Sequence, residues 1–241
     1  MRPSLVLIIA VFFFTGCTTI ESLGPLEPTD AHYSIAVLPM YNITNDVGGA
    51  DVVRSLFNDE LKKKGHSAMP IKEVDIMLRD QMGITLGSQL DMATSMQLGE
   101  TLGVDRLIYG YLLNFDDQFM LSYNTRAVRA GFKMVDAATG EVVWSRGKGV
   151  KTVVVGGQTG VGIAVVKEAT EAKSKMESFE TVPGLDDISG IRDWQILPLP
   201  LEKAEYAAIL TLGAKVLGKV LGVHLLYESY EVVEDIVATM P

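Results

Sequence analysis

The chemistry that this sequence offers most clearly is that of a single thiol. Cys17 is the only cysteine among 241 residues. It follows a short apolar run, Leu5 to Phe14, which has Arg2 before it and the small residues Thr15 and Gly16 after it. One positive charge, an apolar core too short to cross a bilayer comfortably and small residues at its end are typical of a secretory signal. The pattern therefore predicts an exported chain with a thiol at the end of its signal.

Two small residues followed directly by Cys17 resemble the lipobox of bacterial lipoproteins. In that family the chain is cut just before the cysteine and the cysteine is acylated, with palmitate among its acyl groups. The resemblance implies a signal peptide over residues 1–16 and a lipidated Cys17. The alternative is an ordinary export signal with a coincidental cysteine. Two or more acyl chains would hold the protein stably, because each buried methylene contributes about 0.8 kcal/mol.

The residue after the cysteine bears on location. Thr18, rather than Asp, stands there, and by resemblance to the sorting rule of double-membrane bacteria this favours the outer membrane, with the domain in the periplasm. The formal net charge of −9 and the lack of a long Lys/Arg run argue against binding to nucleic acid. They also argue against electrostatic docking to anionic lipid, so we expect the acyl chains on Cys17 to make the membrane contact.

The sequence shows no pattern that predicts catalysis, a metal or a cofactor. With Cys17 acylated, no cysteine remains for a disulfide, a thiol nucleophile or a zinc site. The acidic pairs Asp116-Asp117 and Asp186-Asp187 are more typical of solvated turns than of a cation site. No Gly-x-Ser-x-Gly motif marks a hydrolase. Metal-ligand spacing is also missing from the three histidines, which are His32, His66 and His224.

Hydrophobic periodicity predicts alternating strands and helices in the first half of the chain. A change of phase near Thr125 predicts a bulge or a break in the strand there. Residues 136–140 have the composition of a hairpin loop. The predicted strands cover residues 34–40, 66–70, 104–115 and 119–135, with a return strand from 141, and the predicted helices cover 49–64, 73–81 and 95–102.

These elements suggest a division of the chain into four parts. Residues 17–33 form a linker after the signal peptide, and residues 34–153 form an α/β domain. Residues 154–241 contain a glycine-rich segment, a long loop over 181–200 and C-terminal helices that pack on the same domain. A structureless loop of that length is unusual, so we expect it to wrap the domain or to contact a partner.

Two glycine patterns lie in this second half. Gly156, Gly157, Gly160 and Gly162 lack the Gly-Lys-Ser/Thr ending of a phosphate-binding loop. The loop is read either as an adaptable partner-facing segment or as a turn between a strand and a helix. A GxxxG motif formed by Gly218 and Gly222 fits close helix packing, either within the domain or at a seam between copies. Nearby lysines argue against its lying in a bilayer.

Three short sequence segments in the first half of the chain resemble those of a known family. They are Ile35-Ala-Val-Leu-Pro39, Leu102-Gly-Val-Asp105 leading into Leu107-Ile-Tyr-Gly110, and Val135-Asp-Ala-Ala-Thr-Gly-Glu-Val-Val-Trp144. They look like bacterial lipoproteins related to the curli-secretion protein CsgG and to the amino-terminal domain of TolB, a group that includes lipoproteins of unknown function. The resemblance implies an α/β sandwich, a mixed sheet with helices packed on it, followed here by a C-terminal helical extension.

The preferred hypothesis for function is a non-enzymatic outer-membrane lipoprotein that recognises or assembles with envelope proteins. Candidate interface residues are Tyr109, Tyr111 and Trp144, because exposed aromatic residues often build interfaces, together with the glycines of the two patterns above. Assembly with further copies of the chain is a further expectation. The alternative is an oligomeric secretion-channel subunit resembling CsgG, although Arg126, Arg129 and Lys133 interrupt the apolar face that a membrane-inserted strand needs.

Overall fold

Seven strands of the computed structural model form one mixed β-sheet. The structure describes residues 33–119, 123–155, 182, 184–198 and 225–241, all within the unit His32–Pro241. Strand order is β3-β1-β4-β5-β6-β7, and β2 lies beside β4. The strands are β1 (Ser34–Val37), β2 (Tyr41–Asn42), β3 (Ser67–Ala68), β4 (Arg106–Phe119), β5 (Tyr123–Asp136), β6 (Val142–Val155) and β7 (Trp194–Pro198).

The sheet is mixed because the long strands and the short strands pair differently. Strands β4, β5 and β6 form an antiparallel ladder of 14-residue strands. At its two sides, β1, β2 and β7 pair in parallel with members of that ladder, and β3 pairs in parallel with β1. Parallel strands need crossover connections, and the helices between the short strands provide them.

Helices cover both faces of the sheet. We call the side covered by α1 and α4 the α1 face, and the side covered by α2, α3 and the 3-10 segment the α3 face. The bounds are α1 (Gly49–Lys63), α2 (Ile71–Met82), α3 (Ser95–Leu102) and α4 (Leu226–Ala238), with the 3-10 segment at Gly87–Met92. The mixed α/β sandwich with a C-terminal helix that the sequence predicts is therefore confirmed.

Local signals in the sequence explain where the helices begin and end. Thr94 caps α3, because its hydroxyl accepts from the Gln97 amide while the Gln97 side chain accepts from the Thr94 amide. This reciprocal capping box satisfies two amides that the helix itself leaves without partners. Gly103 ends the same helix at φ 65, a left-handed conformation that glycine adopts without steric cost.

The α1 face holds the larger hydrophobic core. Alternate residues of β5 point into it, so that Phe132 stacks on Phe57 of α1 with ring centroids 3.9 Å apart. Val232 and Ile236 of α4 are fully buried against the same core. The Trp144 indole donates to the Thr239 carbonyl over 3.2 Å and so ties the end of α4 to β6.

A charged group is buried where α4 begins. Glu228 is fully buried, and it accepts a hydrogen bond from the Thr152 hydroxyl and lies 3.2 Å from the Arg126 guanidinium. Arg126 and Thr152 are directly opposite each other in the β5–β6 ladder, so they share the α1 face. Glu228 thereby links the first turn of α4 to two strands.

On the α3 face, residues 184–193 form a segment that we call the strap. Its Leu185, Ile188 and Ile191 are buried against the sheet. A Cβ on Gly147 would lie 2.5 Å from the Ile191 Cδ1 and 2.8 Å from its Cα. Glycine is therefore required here, because any side chain on Gly147 would occupy the space of Ile191.

Backbone hydrogen bonds fix the strap along β6. The Gly147 amide donates to the Ser189 carbonyl over 2.7 Å, and the Gly149 amide donates to the Asp193 carbonyl over 2.8 Å. The strap then continues into β7. The expectation that residues 181–200 form a structureless loop is wrong for Trp194–Pro198, whose pairing with β6 makes it a strand, while the expectation that the segment wraps the domain is met by the strap.

Of the bulge or break expected near Thr125, the structure has the break, because β4 ends at Phe119 and β5 begins at Tyr123. Thr125 pairs with Gln118 and with Val153 in continuous ladders, and the register shifts lie instead at Leu112/Asn114 and at Met134/Val135. Residues 119 and 123 belong to two different strands, β4 and β5. The change of hydrophobic phase therefore marks a chain reversal and not a bulge within one strand.

We predict that Glu228→Gln lowers the free energy of unfolding by about 3 kcal/mol, because it leaves the Arg126 charge without its buried counter-charge. Urea denaturation followed by circular dichroism measures the change. Glu234→Gln on the exposed side of the same helix is the matched control, with an expected change within about 0.5 kcal/mol. Equal stability of the two variants would contradict a structural role for the buried pair.

We predict that Gly147→Ala destabilises the domain by about 1–3 kcal/mol, because its Cβ overpacks the strap at Ile191. Gly48→Ala is the control, since the nearest atom to a Cβ there is 3.8 Å away. Hydrogen exchange should show faster exchange of the Gly149 amide in the Gly147 variant alone. Unchanged exchange at that amide would mean that the strap does not depend on the missing side chain.

Candidate functional site

Three tyrosines and a lysine lie together on the α3 face and form what we call the tyrosine surface: Tyr41, Tyr109, Tyr111 and Lys133. Tyr109 and Tyr111 are two residues apart on β4, so they point to the same side of the sheet. In the strand ladders, Tyr41 is opposite Tyr111 and Lys133 is opposite Tyr109. The Tyr41 and Tyr111 ring centroids are 6.2 Å apart, a normal separation for an aromatic pair.

Lys133 is held among these rings. Its ammonium lies 5.6 Å from the Tyr109 ring centroid and 5.7 Å from that of Tyr111, which is within cation–π range. It also donates to the Gly184 carbonyl of the strap over 3.3 Å. Burial lowers the pKa of Lys133, and the charges of Asp187 and Asp91 partly offset this. The lysine therefore joins the tyrosine surface to the strap.

The two tyrosines of β4 are in a partly desolvated and negative environment. Burial first, and then the charge of Asp91, raise the pKa of Tyr109 to about 12. The pKa of Tyr111 is raised in the same way, by burial first and then by Asp91, with a contribution from Asp187. Asp91 belongs to the 3-10 segment and Asp187 to the strap, so carboxylates act on the tyrosines from both sides.

Three apolar side chains in and next to the 3-10 segment are exposed. Leu86 precedes this segment and is 60% exposed, Met92 ends it and is 71% exposed, and Met96 at the start of α3 is 50% exposed. Methionine is flexible and polarisable and is common on adaptable binding surfaces. The arrangement of aromatic, apolar and acidic groups fits contact with another molecule.

The structure brings only part of the predicted interface together. Tyr109 and Tyr111 are neighbours, but Trp144 lies on the α1 face, where it packs beside α4. The sheet therefore separates Trp144 of β6 from the two tyrosines of β4, although the sequence gives all three as candidate exposed aromatic residues. Cys17 and the six glycines proposed as interface residues lie outside the described residues: Gly156, Gly157, Gly160, Gly162, Gly218 and Gly222.

Sequence reasoning missed Tyr41, Asp91 and Lys133 as members of the site. Asp91 and Tyr41 come from segments far apart in the chain, and nothing in their local pattern connects them. Lys133 did leave a signal, because it interrupts the apolar residues of a buried strand. The charge of Lys133 argues against membrane insertion of the strand, and it also indicates a polar contact on the face opposite Phe132.

A metal cluster and a membrane-spanning helix are both absent from the described residues. Within those residues, no three histidine, cysteine, aspartate or glutamate side chains are arranged to hold a metal ion. In the same residues, no helix combines the length and the apolar composition needed to cross a bilayer.

The family model described as "Putative lipoprotein GNA1162-like" matches residues 29–178 of the chain. That range is more than half of the 241 residues, and the chain belongs to this GNA1162-like lipoprotein family. The lipoprotein class expected from Cys17 is therefore supported at family level. No curated protein matches the chain.

Several solved structures resemble the fold of this chain, and one of them is a lipoprotein by name. Lipoprotein GNA1162 from Neisseria meningitidis is 19% identical, with a TM-score of 0.46 over 61% of this chain and 99% of that chain. The LpoB C-terminal domain from Escherichia coli is 18% identical, with a TM-score of 0.36 over 52% and 86%. The PelC dodecamer from Paraburkholderia phytofirmans is 14% identical, with a TM-score of 0.35 over 56% and 80%.

At these identities and TM-scores the structural similarities carry no argument about function. The finer resemblance to CsgG and TolB is not confirmed by these comparisons. The alternative of a CsgG-like secretion channel likewise receives no support from them. Family membership is therefore the result on which a functional proposal can depend.

We predict that Tyr109 ionises late in an alkaline titration. Its folded-state pKa of about 12 exceeds the ordinary value of 10.0, so its stabilising contribution is complete below pH 10 and is lost as the pH rises through about 12. Tyrosinate absorbance at increasing pH measures this, and Tyr109→Phe should remove one late-titrating group from the eight tyrosines. Simultaneous ionisation of all tyrosines near pH 10 would contradict the burial of this surface.

Proposed function

We propose that the protein is a lipoprotein of the bacterial outer membrane, anchored by acyl chains on Cys17 with its α/β domain in the periplasm. Membership of the GNA1162-like lipoprotein family is the observation that carries the proposal. The sequence before the domain supports it, because a short apolar run ends in Thr15-Gly16-Cys17. Thr18, next to the cysteine, supports the outer rather than the inner membrane.

The domain acts by binding and not by catalysis. The tyrosine surface supports this part of the proposal, since Tyr109 is only partly buried and exposed Leu86 and Met92 lie at the two ends of the 3-10 segment whose Asp91 acts on it. Tyrosine and methionine are enriched in protein interfaces, where charged residues lie at the rim. We therefore assign the tyrosine surface to contact with other envelope proteins, with further copies of this chain as one class of partner.

A channel function is not proposed, because the cations of β5 are engaged within the domain. Arg126 pairs with Glu228 of α4, and Arg129 lies 4.1 Å from the Trp194 ring centroid. Lys133 contacts the strap. These contacts give the three charges structural partners on both faces of the strand.

We predict that Cys17→Ser moves the protein from the membrane fraction to the soluble periplasmic fraction, because the acyl chains provide the stable membrane contact. Fractionation with immunodetection measures the shift, and mass spectrometry of the amino-terminal peptide measures acylation. Thr18→Ser is the matched control and should leave both acylation and membrane fractionation unchanged. Continued pelleting of the Cys17 variant, or an unmodified Cys17 in the native protein, would contradict the anchor.

A further inference from the structure

We propose that the tyrosine surface binds a positively charged side chain, arginine or lysine, in an otherwise apolar segment of a partner protein. This inference rests on the proposed function of the domain as a binding component and names the chemistry of its partner. Four observations support it: the geometry of the rings, the charge around them, a tyrosine hydroxyl at the edge of the strap and the exposed apolar residues at the ends of the 3-10 segment.

The geometry of the rings already accommodates one cation. The ammonium of Lys133 lies within 6 Å of two ring centroids, those of Tyr109 and Tyr111. Tyr41 adds a third ring, tilted by 40° to Tyr111. Several tyrosine rings that face one space present negative π-faces to it, and this is the arrangement by which proteins bind ammonium and guanidinium groups.

The charge around the rings favours a further cation over an anion. Asp91 of the 3-10 segment acts on both β4 tyrosines, and Asp187 of the strap acts on Tyr111 and Lys133. Asp186 is exposed next to Asp187. Two carboxylates, those of Asp91 and Asp187, therefore act on one ammonium, and that ammonium is already directed to the Gly184 carbonyl and to two rings. The local balance is negative, so an incoming carboxylate would be repelled.

The Tyr111 hydroxyl is a polar atom on a buried residue. Tyr111 is 6% exposed, yet among the described residues its hydroxyl makes no hydrogen bond. The position that a Cβ on Gly184 would take is 3.0 Å from this oxygen, which places the hydroxyl at the edge of the strap. The hydroxyl oxygen itself is not sealed from solvent, so it is open to a hydrogen bond from a bound partner. This oxygen can accept a hydrogen bond from the N–H of an arginine or a lysine.

The neighbouring apolar residues define the rest of the partner segment. Leu86 precedes the 3-10 segment that carries Asp91, and Met92 ends it. Both side chains are more than half exposed. Apolar side chains next to the cation would remove these residues from water. A partner segment with a cation between apolar residues therefore matches the surface better than a purely charged segment.

The experiment uses the mature chain made soluble by Cys17→Ser, titrated with three short peptides of identical apolar residues. One peptide carries arginine at its polar positions, the second carries glutamate and the third carries glutamine. Chemical shifts of the backbone amides locate the contact, and fluorescence anisotropy gives the Kd. We expect the arginine peptide to bind at least about tenfold more tightly than the other two, and to weaken as salt is raised.

Variants test which residues are responsible. The double variant Asp91→Asn with Asp187→Asn should weaken arginine-peptide binding about tenfold, because it removes the two carboxylates that act on the rings. Asp59→Asn, on the exposed side of α1 across the sheet, is the matched control and should leave the Kd unchanged. Tyr109→Phe keeps the aromatic ring and should retain most binding, whereas Tyr109→Leu should lose it.

Several outcomes would overturn the inference. Equal binding of the glutamine peptide would show an apolar surface without charge recognition, and tighter binding of the glutamate peptide would reverse the assignment. Absence of binding by all three at millimolar concentration, or shifts confined to the α1 face, would remove the site. Self-association of the chain through the tyrosine surface in sedimentation would show a second copy as the occupant. None of these results depends on Cys17, so they are separate from a failure of the membrane anchor.

Discussion

Strand β5 lies at the centre of the antiparallel ladder and is covered on both sides, and the remaining elements are arranged to provide that cover. On the α1 face its side chains Val128, Ala130, Phe132 and Met134 are buried under α1 and α4. On the α3 face, Gly131 leaves space for the strap. Side chains of β5 point to both faces of the sheet, so each face needs a layer of other elements over it. Without these layers, apolar side chains would be exposed to water and buried backbone amides would lack partners.

The two layers cover the strand in different ways, and the difference decides where binding can occur. The α1 layer, in the part of the chain that the structure describes, consists of α1 and α4, whose apolar side chains share one core with the ladder. The α3 layer consists of α2, α3, the 3-10 segment and the strap, which meet the sheet along different lines. The tyrosine surface lies where the 3-10 segment and the strap approach the same strand from opposite sides. Short segments held on a rigid sheet are a common location for recognition.

Cations on β5 show how one strand serves both layers. Arg126 faces α4 and is paired there, whereas Arg129 and Lys133 face the strap side and lie against aromatic rings. Each charge is placed against a group that compensates for lost hydration, either a carboxylate or a π-face. The proposed anchor and the proposed binding surface are thus served by separate parts of the chain, the first by Cys17 and the second by the domain.

Local sequence determined the class of fold, several element boundaries and the expected lipid anchor. The helix Ser95–Leu102 could be predicted to the residue, because Thr94, Gln97 and Gly103 are local signals, and the apolar run before Cys17 is a local signal as well. Tertiary structure alone decided that Trp144 and Tyr109 lie on opposite faces, that β4 ends at residue 119 and β5 begins at residue 123, and that Ile191 packs against Gly147. The physical reason is that periodicity reports which side chains alternate along one strand, whereas strand register and covering segments, set by contacts between residues distant in the chain, decide which of them meet.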